Sequence, residues 1–103
     1  MNIKLRNNTW KVVRADLSPS VRGEIDPPSY VNKSIKLSAR LRKQQEILEV
    51  FLHECLHGCF WDLDEDVIDQ AALDISKGLY KLGARIDATK LHKRKKKKRK
   101  PKP

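Results

Sequence analysis

The chain has 103 residues, enough for one domain with a modest core, so a bound metal would help to stabilise it. No apolar run approaches the roughly 20 residues of a membrane span, and the polar start, with Asn2, Asn7 and Asn8, lacks the apolar stretch of a signal peptide; a soluble cytoplasmic protein without a membrane partner is expected. Ten of the 23 Lys and Arg fall in residues 90–103 with no acid among them, which leaves 13 basic and 13 acidic residues elsewhere, so the net charge of +10 belongs to one tail.

Thr9-Trp10-Lys11-Val12-Val13-Arg14 is rich in β-formers, and Lys33-Ser34-Ile35-Lys36-Leu37-Ser38 alternates polar with apolar residues; both read as strands. Between them Ser18-Pro19-Ser20, Gly23 and Asp26-Pro27-Pro28 punctuate a long connection, with a further short extended piece at residues 21–25. Residues 42–59 read as a helix, ended by Gly58 and the following Phe60-Trp61-Asp62-Leu63. Asp64 then caps a second helix, with Glu65 and Asp66 in its first turn, that runs to Leu82 and stops at Gly83. So short a connection makes the two helices antiparallel neighbours. Trp10, Trp61 and Tyr80 read as core or rim aromatics. The expected organisation is an α+β domain over residues 1–89, a small sheet packed on one helix with a second beside it, followed by a disordered basic tail over residues 90–103.

The chemistry centres on His53-Glu54-Cys55-Leu56-His57. Residues four apart on a helix are separated by about 40° around its axis, so both imidazoles can point at one ion. Glu54 lies about 60° from His57 on the same wheel, beside the ion, where a carboxylate takes a proton from water instead of ligating. One Zn2+ per chain fits this set, because zinc accepts imidazole and carboxylate and keeps a position for water. Cys55 falls about 160° from both histidines and Cys59 about 120° from the nearer one, so a single ion cannot readily use both pairs, and the thiols read as reduced packing residues.

A hydrolytic zinc site takes three protein ligands, and the third is sought on the second helix, which packs against the histidine face. Its apolar stripe is Val67, Ile68, Ala71, Ala72, Ile75, Leu79 and Leu82. Glu65 lies nearer the edge of that stripe than Asp69, which lies nearer than Asp66. Glu65 is therefore the expected third ligand and Asp69 the alternative.

Taken together, Ser34-Ile35-Lys36-Leu37, Glu49-Val50-Phe51-Leu52-His53-Glu54-Cys55-Leu56-His57, the acidic Asp62-Leu63-Asp64-Glu65-Asp66-Val67-Ile68-Asp69 and Gly78-Leu79-Tyr80-Lys81-Leu82-Gly83 resemble the small metallopeptidases of phages and prophages, akin to SprT-like and other minimal zincins. The resemblance covers about residues 8–83. It implies a zincin-like fold, His53 and His57 as zinc ligands, Glu54 as the base, peptide or protein substrates, and the host-cell cytoplasm as the compartment. It leaves the third ligand open. Gly58-Cys59 after the second histidine departs from the usual pattern without touching the site.

The resulting expectation is a zinc-dependent metallopeptidase whose basic tail binds nucleic acid without sequence preference, through phosphate charge, or serves only as a solubilising segment. The chief rival is a non-catalytic nucleic-acid-binding accessory protein with a structural metal. A regulator or virion component with a degenerate peptidase fold is the third reading.

Overall fold

The computed structural model describes residues 1–93, arranged as one sheet, two long helices and a short closing segment. The elements are β1 (Asn2–Leu5), β2 (Asn8–Ala15), β3 (Gly23–Ile25), β4 (Ser34–Ser38), α1 (Gln44–Cys59), α2 (Glu65–Lys81), a single 3-10 turn (Ala88–Lys90) and β5 (His92–Lys93). The α+β class is therefore observed. No helix among the described residues is long and apolar enough to cross a membrane.

β2 is the axis of the sheet. It runs parallel to β4 over Lys11 to Ala15, with Val12 opposite Ile35 and Arg14 opposite Leu37. Its other edge is shared: β1 pairs antiparallel with residues 8–11, and β5 pairs parallel with Val13 and Arg14. β3 lies antiparallel on the far side of β4 and forms an edge of the sheet. Trp10, Val12, Ile35 and Leu37 from the sheet meet Leu41, Ile47, Val50 and Leu91 in one buried cluster. Each such aliphatic side chain contributes about 1.5–3 kcal/mol on burial. The Trp10 indole also donates to the Asp26 carbonyl at 3.0 Å, and the Asp26 carboxylate accepts from the Ser34 amide at 2.8 Å, so the β3–β4 connection is tied down where it leaves the core.

α1 is the middle layer, with the sheet on one side and α2 on the other. It ends at Cys59, the expected residue, with Gly58 inside the last turn, where a Cβ would lie 3.1 Å from side-chain atoms of both Leu5 and Ile25. The glycine lets the last turn of α1 approach the sheet closely. Asp64 occupies the N-cap of α2 as expected, but its side chain makes no capping hydrogen bond. Ile68, Ala72 and Ser76 are the buried residues of α2, a narrower contact than the expected stripe, and Val67, Ile75 and Leu82 are exposed.

Two further features correct the sequence reading. β1 adds a strand that was not expected, joined to β2 by Arg6 and Asn7, which both take positive φ values of 46° and 67°. The domain does not stop at residue 89, because Leu91 is buried in the core and β5 extends the sheet to Lys93. Past α2 the chain is held by the Gln44 side chain, which donates to the Ile86 carbonyl at 3.0 Å and accepts from its amide at 2.8 Å. The remainder of the expected basic tail, residues 94–103, lies outside the described residues.

Candidate metal centre

The site forms where the last turns of α1 face the first turns of α2. His57 meets Glu65, whereas His53, one turn earlier in α1, meets both Glu65 and Asp69, one turn later in α2. That reversal makes the helices antiparallel.

Four polar atoms converge. His53 Nε2 and His57 Nε2 are 3.0 Å apart, Glu65 Oε1 lies 2.9 Å from His53 Nε2, and Glu65 Oε2 lies 3.0 Å from His57 Nε2. Zinc ligands at about 2.0–2.1 Å in a tetrahedron stand about 3.4 Å from one another, so these spacings are within a few tenths of an ångström of an ion's first shell. The donor set makes the same point. His53 Nδ1 is 3.0 Å from Asp69 Oδ1, and a carboxylate there requires the proton on Nδ1. A neutral His53 then turns a lone pair toward Glu65 and His57. Either protonated imidazoles or a cation among the three resolves that opposition, and an imidazole–imidazole–carboxylate set is one that zinc accepts.

The residues named from the sequence thus divide into roles by geometry. His53, His57 and Glu65 offer ligand atoms that all lie within 4.8 Å of one another. Asp69, the alternative ligand, reaches the outward nitrogen of His53 and so orients that ring. Glu54 is not among the converging groups, and its carboxylate reaches β3, where its Oε2 would lie 3.0 Å from a Cβ at position 23. Gly23 is therefore required for the close passage of β3 over α1, and a Cβ there would also meet Val50 Cγ1 at 2.7 Å.

Glu54 is only 5% exposed. Burial, reinforced by the nearby charges of Glu65 and Glu24, pushes its carboxyl up from 4.5 to about 7. A cation at the adjacent histidines opposes that rise. Cys55 faces the core, and burial, with smaller contributions from Cys59 and Glu54, pushes its thiol up to about 12. Both cysteines are free thiols, and neither joins the converging group.

Open depressions lie on either side of His53 and Glu54. One, of about 720 Å3, runs between α1, α2 and the segment before β3, with Arg22, Glu49, Asp66 and Asp69 on its walls. The other, of about 470 Å3, is walled by Ile25, Trp61 and Leu63 and contains His57 and Glu65. Gly23 borders both. The sequence reading missed Gly23, Ile25 and Leu63 as site residues and placed Trp61 only as a core or rim aromatic. The sequence carries no local pattern linking residues 23–25 to a helix thirty residues later.

Scans of protein-family models, curated proteins and solved structures give no match to this chain.

Proposed function

We propose that the chain is a zinc-dependent hydrolase of the peptidase type, with His53, His57 and Glu65 as metal ligands, Glu54 as general base and Asp69 as the residue that orients His53. The observation that carries this reading is the convergence of two imidazole nitrogens and both carboxylate oxygens of Glu65 at 2.9–3.0 Å, next to a buried carboxylate that stays out of the group. Zinc bound there would polarise a carbonyl oxygen and acidify a water molecule.

The chain's own residues supply the rest. Glu54 takes the proton of the attacking water and returns it to the leaving nitrogen. The edge of β3 beside Gly23 offers backbone groups to which an extended peptide adds as a further strand. The Ile25–Trp61–Leu63 wall suits an apolar substrate side chain on one side of the scissile bond. Two open depressions at the ligand group favour a catalytic over a closed structural role for the metal.

A peptide-library digestion with matched zinc occupancy tests the proposal. Wild type is expected to cleave, and Glu54→Gln to keep its zinc and fold while losing at least about a hundredfold in rate, the usual scale for a positioned base. A zinc-loaded Glu54→Gln that cleaves as fast as wild type would remove Glu54 from the mechanism.

A further inference from the structure

Charge is divided between the layers of the domain. Residues 44–76, which span α1 and most of α2, carry nine acidic residues and no Lys or Arg, whereas residues 1–40, which hold β1 to β4, carry eight Lys or Arg against three acidic residues. The candidate metal centre lies in the acidic half, and a divalent ion there would offset only two of those nine charges. The depression of about 720 Å3 beside it has Glu49, Glu54, Asp66 and Asp69 on its walls, with Arg22 as its single Lys or Arg. Arg22 is already engaged, 3.4 Å from Glu49 and 3.7 Å from Glu46, and Asp69 meets His53 Nδ1. Asp66 and Glu54 are left. Glu54 is 5% exposed and borders both depressions, and its carboxylate has no hydrogen-bond partner among the described residues. Its oxygens are not among the sealed, unsatisfied atoms of the structure, so they open onto the depressions.

The second depression has the opposite chemistry, with Ile25, Trp61 and Leu63 on its walls. A peptide added to the free edge of β3 passes Gly23, which borders both, and can place one side chain in each. Antiparallel addition is the more stable pairing. A strand antiparallel to β3 runs from Ile25 toward Arg22, so the residue before the scissile bond meets the apolar wall and the residue after it meets the acidic one.

We propose that the site selects cationic peptides, with an apolar residue before the scissile bond and Lys or Arg after it, and that Asp66 is the residue that selects the cation. The acidic half of the domain draws such segments in, and Asp66 supplies the carboxylate that no group of the chain neutralises. The place of the scissile bond rests on the peptidase reading; the preference for a cation beside the site does not.

Fluorescence anisotropy with the zinc-loaded full chain tests it, using labelled peptides whose central amide is replaced by a hydroxyethylene unit so that no cleavage intervenes. Wild type is expected to bind the Leu–Lys peptide about fivefold more tightly at low salt than the same peptide with norleucine for Lys, and more tightly than the reversed Lys–Leu peptide. Asp66→Asn should remove most of that preference. Asp64→Asn should retain it, because it removes the same charge two residues away, caps α2 as well as Asp does, and lines neither depression. Equal affinity for the Lys and norleucine peptides, tighter binding of the reversed peptide, or equal loss of preference in the two variants would overturn the proposal. Hydrolysis of the corresponding amides is read separately. A preference without cleavage would defeat the peptidase reading and retain the cation-selecting depression, and cleavage without a preference would do the reverse.

Discussion

α1 and α2 are nearly equal in length, 16 and 17 residues, and both contribute to the candidate metal centre, yet they hold their residues there in opposite ways. α1 is enclosed by the sheet on one side and α2 on the other, so Glu54 is nearly sealed and the histidines are partly buried. α2 rests on α1 along Ile68, Ala72 and Ser76, and its Glu65 and Asp69 side chains stand largely in solvent, reaching the site through the histidines. The middle helix supplies groups whose placement and proton affinity are set by packing. The outer helix supplies carboxylates set mainly by the partners they meet. Substitution of Glu54 in α1 should therefore alter chemistry and pH response, and substitutions of Glu65 and Asp69 in α2 should act chiefly on metal affinity.

The largest effect expected on the α2 side separates its two acids. Glu65→Gln should weaken zinc binding by roughly a hundredfold or more, since one of the ligands sharing the binding energy is lost. Asp69→Asn, which keeps the ligand set and loosens the orientation of His53, should cost nearer tenfold. Chelator competition measures both. The reverse order would exchange the roles of the two residues and undo the division between ligand and orienting group.

An effect of similar size is expected on the α1 side and is visible in metal-free protein. The folded-state pKa of Glu54 is about 7 against an ordinary 4.5, so the folded chain binds this proton more tightly than the unfolded chain does. The resulting penalty is absent below about pH 4.5, grows as pH rises, and is complete above about pH 7. Glu54→Gln should consequently stabilise the metal-free protein above neutrality by on the order of 3 kcal/mol, with the gain vanishing toward pH 4.5. Denaturant titrations at several pH values decide it. A gain independent of pH would mean that the carboxyl is not held in the enclosed setting that distinguishes α1 from α2.

The smallest effect on the site is expected from the basic segment, which belongs to neither helix. Removing residues 94–103 takes away eight of the ten excess cationic groups and should leave zinc content unchanged while abolishing any salt-sensitive binding to nucleic acid. Filter binding at two salt concentrations, with zinc measured on the same samples, reads both. Unchanged nucleic-acid affinity would move that interaction onto the folded domain.

The two helices differ as well in how far they could be read from the sequence. The bounds of α1 and α2 and the spacing of His53, Glu54 and His57 follow from local periodicity, and Glu65 lay at the right edge of α2 because helix geometry alone places it there. The burial of α2 was not legible: its apolar residues spread over two faces, and which face is covered depends on α1. Ser76, polar yet fully buried, satisfies its hydroxyl on the Leu73 carbonyl at 2.9 Å, a solution with no apolar signature. β1 was hidden because its turn uses Arg6-Asn7 with both residues at positive φ, where Asn-Gly is the recognisable signal. β5 was hidden because two residues in a basic run become a strand only through pairing with β2, some eighty positions earlier. The contact of Asp69 with the other nitrogen of His53 was likewise beyond the sequence, since it turns on which ring atom each carboxylate meets.

The central claim is that α1 and α2 together hold one zinc ion, and elemental analysis of the purified full chain tests it most directly. The account predicts about one zinc per chain, lost in both His53→Ala and His57→Ala together with a fall in thermal stability, because metal binding energy is folding energy in so small a domain. Equal zinc content in wild type and both variants, or no zinc in a wild type dialysed against the metal, would contradict it.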